Sequence, residues 1–433
     1  MKKSKQSSSR SRKREHIGAG LSVDLMAAPA FLFILSGFLL ISFKEANKVD
    51  ITAILMGAGL PLFIMAQLWV SRRLFPHVDS LMFLLSNFLC CLGLLLLYRL
   101  KPEQALGQLL SYAVGTAAFW LGLLLGARWK WWGWLCWAGI GAALILMMLP
   151  VAFGKEVYGA KNWISVPVLG GFQPSELVKP VFVICLSYFL TRFTPIKKQW
   201  PAAVMVLGCI GALVLQKDLG TMLIYFVVCI ALFYSATSNL ALTGAALGTA
   251  ALGATASYFL FDHVRVRVAV WQDPFALYDG KGYQTVHSLI ALGSAGLFGQ
   301  GLGLGTPLSI PVNQSDFIFA VLYEQFGVVS ALLVLGIYAM LIARGAQIAQ
   351  RQREAFPALG AMGMIASMGF QAFLIVGGVI NMIPLTGVTL PFVSLGGSSL
   401  ISCMAMVGLI EGWGIRAGEM DEAAFRRAQE DAR

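Results

Sequence analysis

The chain has 433 residues, of which 58% are hydrophobic and 12% charged, and its formal net charge at pH 7 is +11. A soluble domain carries about 25% charged residues, so this composition excludes an ordinary soluble globular protein. Apolar runs near the length of a membrane span recur along the chain, without the alternating pattern of an outer-membrane barrel. The sequence therefore predicts an all-α polytopic membrane protein.

The chain begins with a basic, Ser-rich stretch, "MKKSKQSSSRSRKR", which supplies much of the net positive charge. We expect residues 1–25 to form a disordered cytoplasmic tail, because the stretch has few residues that can build a core. Basic tails beside a membrane span are attracted to anionic lipid headgroups. The charge therefore predicts contact with membrane lipids and no nucleic-acid partner.

The predicted transmembrane domain extends over residues 26–412 and is followed by a cytoplasmic tail, 413–433. A long extracytoplasmic loop, 263–315, interrupts it. The domain contains twelve apolar segments, predicting about 12 transmembrane helices, and a membrane-spanning helix needs about 20 such residues. The segments are 26–44, 51–71, 79–98, 106–126, 132–153, 174–193, 199–216, 219–236, 239–262, 316–343, 357–383 and 393–412.

The distribution of basic residues predicts the orientation of the chain. With an even number of spans both termini lie on one side, and the segments on that side carry about twice as many Lys and Arg residues as the opposite loops. We therefore expect both termini to be cytoplasmic. The loops rich in Gly, Pro, Asp and aromatic residues then face the exterior, which places the chemistry there.

Ionisable side chains inside a membrane are costly, so those near the outer ends of predicted helices are candidates for function. Singly, each can be an interfacial residue, but together they predict a shared outward-facing polar cavity. Glu176 and Lys179 share a helix face at i, i+3, and Asp218 is an available partner for Lys179. Asp316 and Glu324, eight residues apart, are expected along one helical stripe.

The long loop contains both cations and carboxylates. Arg265 and Arg267 can contact phosphate or membrane headgroups. Asp273 and Asp279 lie among aromatic residues, where a carboxylate can act as a general base, although both sequences also suit Asx turns. The run "GLFGQGLGLG" lacks the Lys-Ser/Thr ending and the strand–helix context of a nucleotide loop. It predicts flexible or close-packed backbone around a ligand.

Five ordered motifs, from Gly159 to Leu409, resemble one known family. They are "GAKNWISVPVLGGFQPSELVKP", "LQKDLGT", "GYQTVHSLIALGSAGLFGQGLGLG", "SDFIFAVLYEQFG" and "NMIPLTGVTLPFVSLGGSSL". They are similar to signatures of the SEDS family, the RodA, FtsW and SpoVE type. The resemblance implies a family core of 10 helices, plus an extra pair before Gly159. It also implies a multi-pass protein of the bacterial cytoplasmic membrane that serves cell elongation, division or sporulation.

The resemblance implies a peptidoglycan glycosyltransferase that polymerises lipid II by an inverting reaction, working with a class B penicillin-binding transpeptidase. The catalytic base is expected to be Asp279 or, alternatively, Asp273, because the family's loop position falls on Leu277 here. Two further departures are Asn162 and Lys217. Expected substrate-binding residues are Glu176, Lys179, Asp218, Arg265, Arg267, Tyr283, Gln284, Ser288, Asp316, Glu324, Ser394 and Ser398.

The leaving diphosphate is expected to be stabilised either by cationic side chains or by a divalent cation, Mg²⁺ or Mn²⁺; the sequence names no metal ligands. Two alternative functions remain open. Intramembrane charges also suit a flippase that moves lipid II across the bilayer. The displaced loop aspartate suits a non-catalytic scaffold that activates the transpeptidase.

Overall fold

The computed structural model describes residues 23, 25, 27–43, 49–157, 160–166, 170–193 and 198–431. The predicted N-terminal tail lies almost wholly outside this part of the chain. The helices are α1 (Ala27–Ser42), α2 (Ile51–Leu74), α3 (Ser80–Leu100), α4 (Pro102–Arg128), α5 (Trp132–Phe153), α6 (Pro174–Arg192), α7 (Trp200–Leu215), α8 (Leu219–Thr237), α9 (Leu240–Leu260), α10 (Asp262–Gln272), α11 (Tyr283–Ser294), α12 (Ile318–Gln350), α13 (Ala355–Val379) and α14 (Gly397–Glu430).

The all-α polytopic fold is confirmed, since a helix occupies each of the twelve predicted apolar segments. Within the described residues, ten of these helices are long and apolar enough to cross a membrane, and α1 and α7 are shorter apolar helices. Helices α10 and α11 lie inside the predicted long loop.

The last helix extends beyond its predicted end at residue 412. Trp413, Ile415 and Ala417 are buried, so the first part of the predicted tail packs against the bundle. Farther along, Glu419 pairs with Arg128 and Asp421 with Arg353. The described part of the predicted tail is thus a docked continuation of α14.

Helices α4 and α14 pack with their backbones in close approach. A Cβ added at Gly408 would lie 2.1 Å from the carbonyl oxygen of Phe119, and one at Gly412 would lie 2.3 Å from that of Leu123. Small residues are the usual means by which membrane helices approach so closely. Helix α14 is the most deeply buried of the ten candidate spans, and it also packs against α3, α6, α12 and α13.

A small antiparallel sheet, which the sequence did not predict, lies between α5 and α6. Its strands are β1 (Lys155–Val157), β2 (Ala160–Val166) and β3 (Gly170–Phe172), in the order β1-β2-β3. The backbone N–H of Lys161 in β2 donates to the carbonyl of Gln216, 2.9 Å away, in the turn between α7 and α8. The sheet thereby joins three helix ends on one side of the bundle.

The glycine-rich run packs against α12, which is broken near its start. Gly327 has φ 78° and ψ −176°, far from helical values. Gly299 has φ 78°, and a Cβ there would lie 2.4 Å from the carbonyl oxygen of Gln325. The predicted close packing is confirmed, but its partner is α12 itself.

The predicted helical stripe of Asp316 and Glu324 is wrong. Helix α12 begins at Ile318, so Asp316 precedes it and has no helical relation to Glu324. The carboxylate of Glu324 instead accepts a hydrogen bond of 2.9 Å from the backbone N–H of Thr306 in the glycine-rich segment. Glu324 therefore holds the loop against the helix.

We predict that Gly299→Ala lowers the melting temperature of the purified protein in detergent. The substitution puts alanine in the left-handed conformation and brings its Cβ against backbone atoms. We expect this to lower the free energy of unfolding by on the order of 1–3 kcal/mol. Gly336→Ala, in the regular part of α12 with no atom within 4 Å of the added carbon, is the control and should not destabilise. Equal melting temperatures for the two variants would contradict this packing.

Candidate functional site

A buried ion pair opens helix α6. Pro174 occupies the first turn, and the Lys179 ammonium donates to Glu176 Oε2 and to Gln371 Oε1, each at 2.7 Å. Lys179 is 1% exposed and Glu176 4%. The predicted i, i+3 pair is confirmed. The second partner of Lys179 is Gln371 of α13 and not Asp218, which the sequence had offered for this role.

Gln371 connects this pair to the loop before α14. Its amide nitrogen donates to the carbonyl of Thr389 at 2.8 Å and to Ser399 Oγ at 3.2 Å. The Thr389 hydroxyl in turn donates to Ser399 Oγ at 2.9 Å. Sequence reasoning missed Gln371, although a lone glutamine within the apolar α13 is a recognisable signal, because a buried amide needs partners.

Asp218 holds the helix ends around the small sheet. It caps α8 by accepting from the backbone N–H of Thr221 at 3.1 Å. Its Oδ2 accepts from the amides of Asn162, at 2.7 Å, and Gln173, at 2.8 Å. Asn162 stands at a position where the sequence departs from the family pattern, and here it binds the site's own carboxylate.

The backbone of Gln173 extends these contacts to α14. Its N–H donates to Ser398 Oγ at 3.1 Å, in the first turn of α14. Ser399, the next residue, binds Gln371. The pair of Lys179 and Glu176 and the cap at Asp218 are therefore joined through consecutive serines of one helix turn.

Arg267 and Asp316 face each other across Gly387. Arg267 Nη1 donates to the carbonyl of Thr386 at 2.8 Å. A Cβ added at Gly387 would lie 3.4 Å from Arg267 Nη2 and 3.6 Å from Asp316 Oδ2, so both side chains point to the same small space. Gly387 itself has φ 73°, in the left-handed region that favours glycine.

Burial and neighbouring charges shift the pKa of each of these two side chains in opposite directions. Desolvation raises the pKa of Asp316, while a hydrogen bond from Ser315 and the charge of Arg267 lower it. Desolvation lowers the pKa of Arg267, while the charges of Asp316 and Asp218 raise it. Arg267 thus lies within electrostatic range of both carboxylates.

Ser394 positions the segment that carries Asp316. Its hydroxyl donates to the carbonyl of Ser315 at 2.7 Å and accepts from the backbone N–H of Leu390 at 2.9 Å. The N–H of Leu395 also donates to the carbonyl of Gln314 at 2.8 Å. Ser394 therefore acts on the backbone beside Asp316.

The two candidate bases in the long loop differ in their contacts. Asp273 ends α10, and its Oδ1 accepts from the backbone N–H of Ala276 at 3.0 Å, which is the Asx-turn arrangement. Asp279 is exposed in the next turn, beside Tyr278. The Tyr278 ring lies 5.6 Å, between centroids, from the ring of Tyr283.

The remaining predicted residues occupy different surroundings. The ring of Tyr283 packs against that of His287 at a tilt of 46°, with centroids 4.2 Å apart, and Gln284 is half-buried. Ser288 is fully buried on the inner face of α11, against α13. Arg265 is exposed and pairs with Asp262. Ser288, Arg265 and Glu324 therefore make their contacts outside the polar network.

The described residues offer no evident set of ligands for the predicted divalent cation. Within the described residues, no group of three or more His, Cys, Asp or Glu side chains is placed to hold a metal ion. Asp218 is hydrogen-bonded to Asn162, Gln173 and Thr221, and the charge of Arg267 acts on both Asp218 and Asp316. The use of Mg²⁺ or Mn²⁺ stays a prediction and enters no step below.

We predict that Lys179→Met destabilises the protein by about 3–5 kcal/mol, because it leaves Glu176 buried without its cation. Thermal unfolding in detergent measures the effect. In the double variant Glu176→Gln, Lys179→Met, no uncompensated charge remains, and we expect most of the stability to return. A single variant as stable as the parent protein would show that the pair carries no buried charge.

Comparisons with known proteins identify relatives over most of the chain. A family model of cell cycle proteins, for FtsW, RodA and SpoVE, matches residues 79–413. The peptidoglycan glycosyltransferase RodA of Mycobacterium tuberculosis is 34% identical over 385 residues, covering 82% of this chain and 81% of the relative. The stage V sporulation protein E of Bacillus subtilis is 29% identical over 360 residues, covering 77% and 95%.

Solved structures give the same relatives. One solved structure is described as "Structural coordination of polymerization and crosslinking by a peptidoglycan synthase complex". It matches with TM-score 0.66 at 27% identity, covering 78% of this chain and 97% of that chain. The rod shape determining protein RodA of Thermus thermophilus matches with TM-score 0.58 at 26% identity, covering 78% and 96%. Helices α1 and α2 precede the range of the family model, in agreement with an extra pair of helices.

Proposed function

The chain belongs to the FtsW, RodA and SpoVE family of cell cycle proteins, and we propose that this peptidoglycan glycosyltransferase polymerises lipid II at the outer face of the bacterial cytoplasmic membrane. One observation carries the proposal. At one end of the bundle, a hydrogen-bonded polar network runs from Lys179 through Gln371, the serines of α14 and Gln173 to Asp218, and the charges of Arg267 and Asp316 lie nearby. Such a network suits a charged, lipid-borne substrate that enters from the bilayer.

The positive-inside rule supports an outward-facing network. The opposite end of the bundle carries the basic turns, among them Arg128 and Arg353, which pair with the docked end of α14. A donor at the outer face needs no nucleotide, because its own diphosphate activates it.

The proposed reaction is an inverting displacement. The 4-hydroxyl of the acceptor sugar attacks the anomeric carbon of the donor, and the bond from that carbon to the diphosphate oxygen breaks. Asp279 takes the proton of the hydroxyl, because Asp273 is already engaged with its own turn. Arg267 stabilises the departing diphosphate, and it is the better placed of the two loop arginines since Arg265 pairs with Asp262 in solvent.

We predict that Asp279→Asn lowers lipid II polymerisation by about 10²–10⁴-fold, the usual contribution of a general base. The measurement is glycan formation by purified protein with its transpeptidase partner. Asp273→Asn is the matched control, because the asparagine carbonyl can still accept from Ala276, and its loss should be much smaller. The reverse pattern would assign the base to Asp273, and no loss in either variant would refute both.

Arg267→Gln should lower kcat/KM for lipid II by about 10–100-fold, because a hydrogen bond to a charged group contributes about 1.5–3 kcal/mol. Arg265→Gln, in the same helix, serves as control and should change kcat/KM only slightly, because exposed ion pairs are weak. Equal effects of the two substitutions would place the diphosphate elsewhere.

The proposed partner is a class B penicillin-binding protein that cross-links the new glycan. The structurally similar peptidoglycan synthase complex, in which polymerisation and crosslinking are coordinated, supports this partnership. Two rival functions give different results. A flippase moves lipid II across sealed liposomes without forming polymer, and a scaffold binds the transpeptidase while Asp279→Asn leaves polymerisation unchanged.

A further inference from the structure

Two large apolar side chains are exposed at the tip of the glycine-rich loop. Leu297 is 62% exposed and Phe298 is 79% exposed, although the loop lies outside the membrane-spanning helices. Contiguous exposed apolar patches mark sites of contact with other proteins or with membranes. Their surroundings indicate what they contact.

The broken backbone of α12 fixes the position of this turn. Because Gly327 leaves the helical conformation, the carbonyls of Glu324 and Gln325 lose their partners in the helix. The N–H of Gln300 donates to the carbonyl of Glu324 at 2.8 Å, and that of Gly301 to the carbonyl of Gln325 at 3.1 Å. The loop thus supplies donors that the helix lacks.

The other half of the break is closed in the same way. The N–H of Val328 donates to the carbonyl of Gly296 at 3.2 Å, and that of Val329 to the carbonyl of Leu297 at 3.2 Å. The loop therefore replaces both the donors and the acceptors lost at the kink. Irregular backbone is tolerated at membrane depth only where other parts of the protein satisfy its N–H and C=O groups, as they do here.

The paired residues of α12 set the depth of the turn. Val328 and Val329, which pair with the turn, directly follow the break at Gly327. Counting about 20 residues outward from Arg344, near the inner end, places the outer edge of the hydrocarbon close to Gln325. The turn is thus level with the outermost acyl chains.

The exposed pair also continues a lipid-facing surface. On α12, Val329, Leu332 and Leu333 are 41%, 60% and 65% exposed, and this helix has the length and composition of a membrane span. Leu297 is hydrogen-bonded to Val329 through its backbone, so the patch on the loop adjoins this face.

We propose that Leu297 and Phe298 insert into the outer leaflet and contact the acyl chains of membrane lipids. The loop that carries Asp279 is then anchored at the bilayer surface through a re-entrant turn. This contact is separate from the polar network and does not depend on the proposed reaction.

Site-directed spin labelling tests the contact in lipid nanodiscs. Phe298→Cys and, as a second variant, Leu297→Cys are labelled with a nitroxide, and collision rates with O₂ and with a water-soluble nickel chelate are compared. Leu332→Cys on α12 is the lipid-facing control, and Lys281→Cys, exposed in the same loop, is the water-facing control. The labelled parent protein, with its seven native cysteines, gives the background.

Labels at 298 and 297 should match the one at 332, with frequent O₂ collisions and few nickel collisions. A label at 298 that collides with nickel as often as the one at 281 would place the turn in water. Protection from both reagents would show that protein covers the pair. Either result overturns the proposal and leaves the glycosyltransferase function untouched, because no activity is measured.

Discussion

A fully buried ammonium requires partners that replace water, and the arrangement around Lys179 follows from that requirement. Its two hydrogen bonds come from different helices, Glu176 on its own α6 and Gln371 on α13. Gln371 can hold this orientation because Thr389 and Ser399 bind its nitrogen. One buried charge thereby connects three elements that are far apart in sequence, and it fixes the loop before α14 relative to α6.

The same requirement explains the division of roles within the site. Glu176 and Lys179 are neutralised by each other and buried, so they shape the network and are poorly placed to exchange protons with a sugar. Arg267 is different, because it is only half-buried, donates to one backbone carbonyl and lies beside Gly387 and Asp316. In the proposed reaction, the proton of the acceptor hydroxyl is therefore taken by the exposed loop carboxylate, Asp279.

Hydropathy predicted the twelve apolar helices, and local spacing predicted the Glu176–Lys179 pair. Both features depend on residues close together in sequence. The sheet between α5 and α6 was missed because β1 and β3 are only three residues long, too short to show the alternating pattern of a strand. The extension of α14 was missed because charge lowers its hydropathy, while packing and ion pairs keep it helical. The Asp316–Glu324 stripe failed because the glycine-rich loop determines where α12 begins and breaks, and that pairing is not local.

The central claim is that this chain forms glycosidic bonds from lipid II through its extracytoplasmic loop. The most direct measurement is polymer formation by purified protein and its transpeptidase in liposomes that contain lipid II, with parent protein and Asp279→Asn compared. If the proposed function is correct, the parent protein forms glycan strands and the variant forms almost none. Transport of lipid II without any polymer from the parent protein would contradict it.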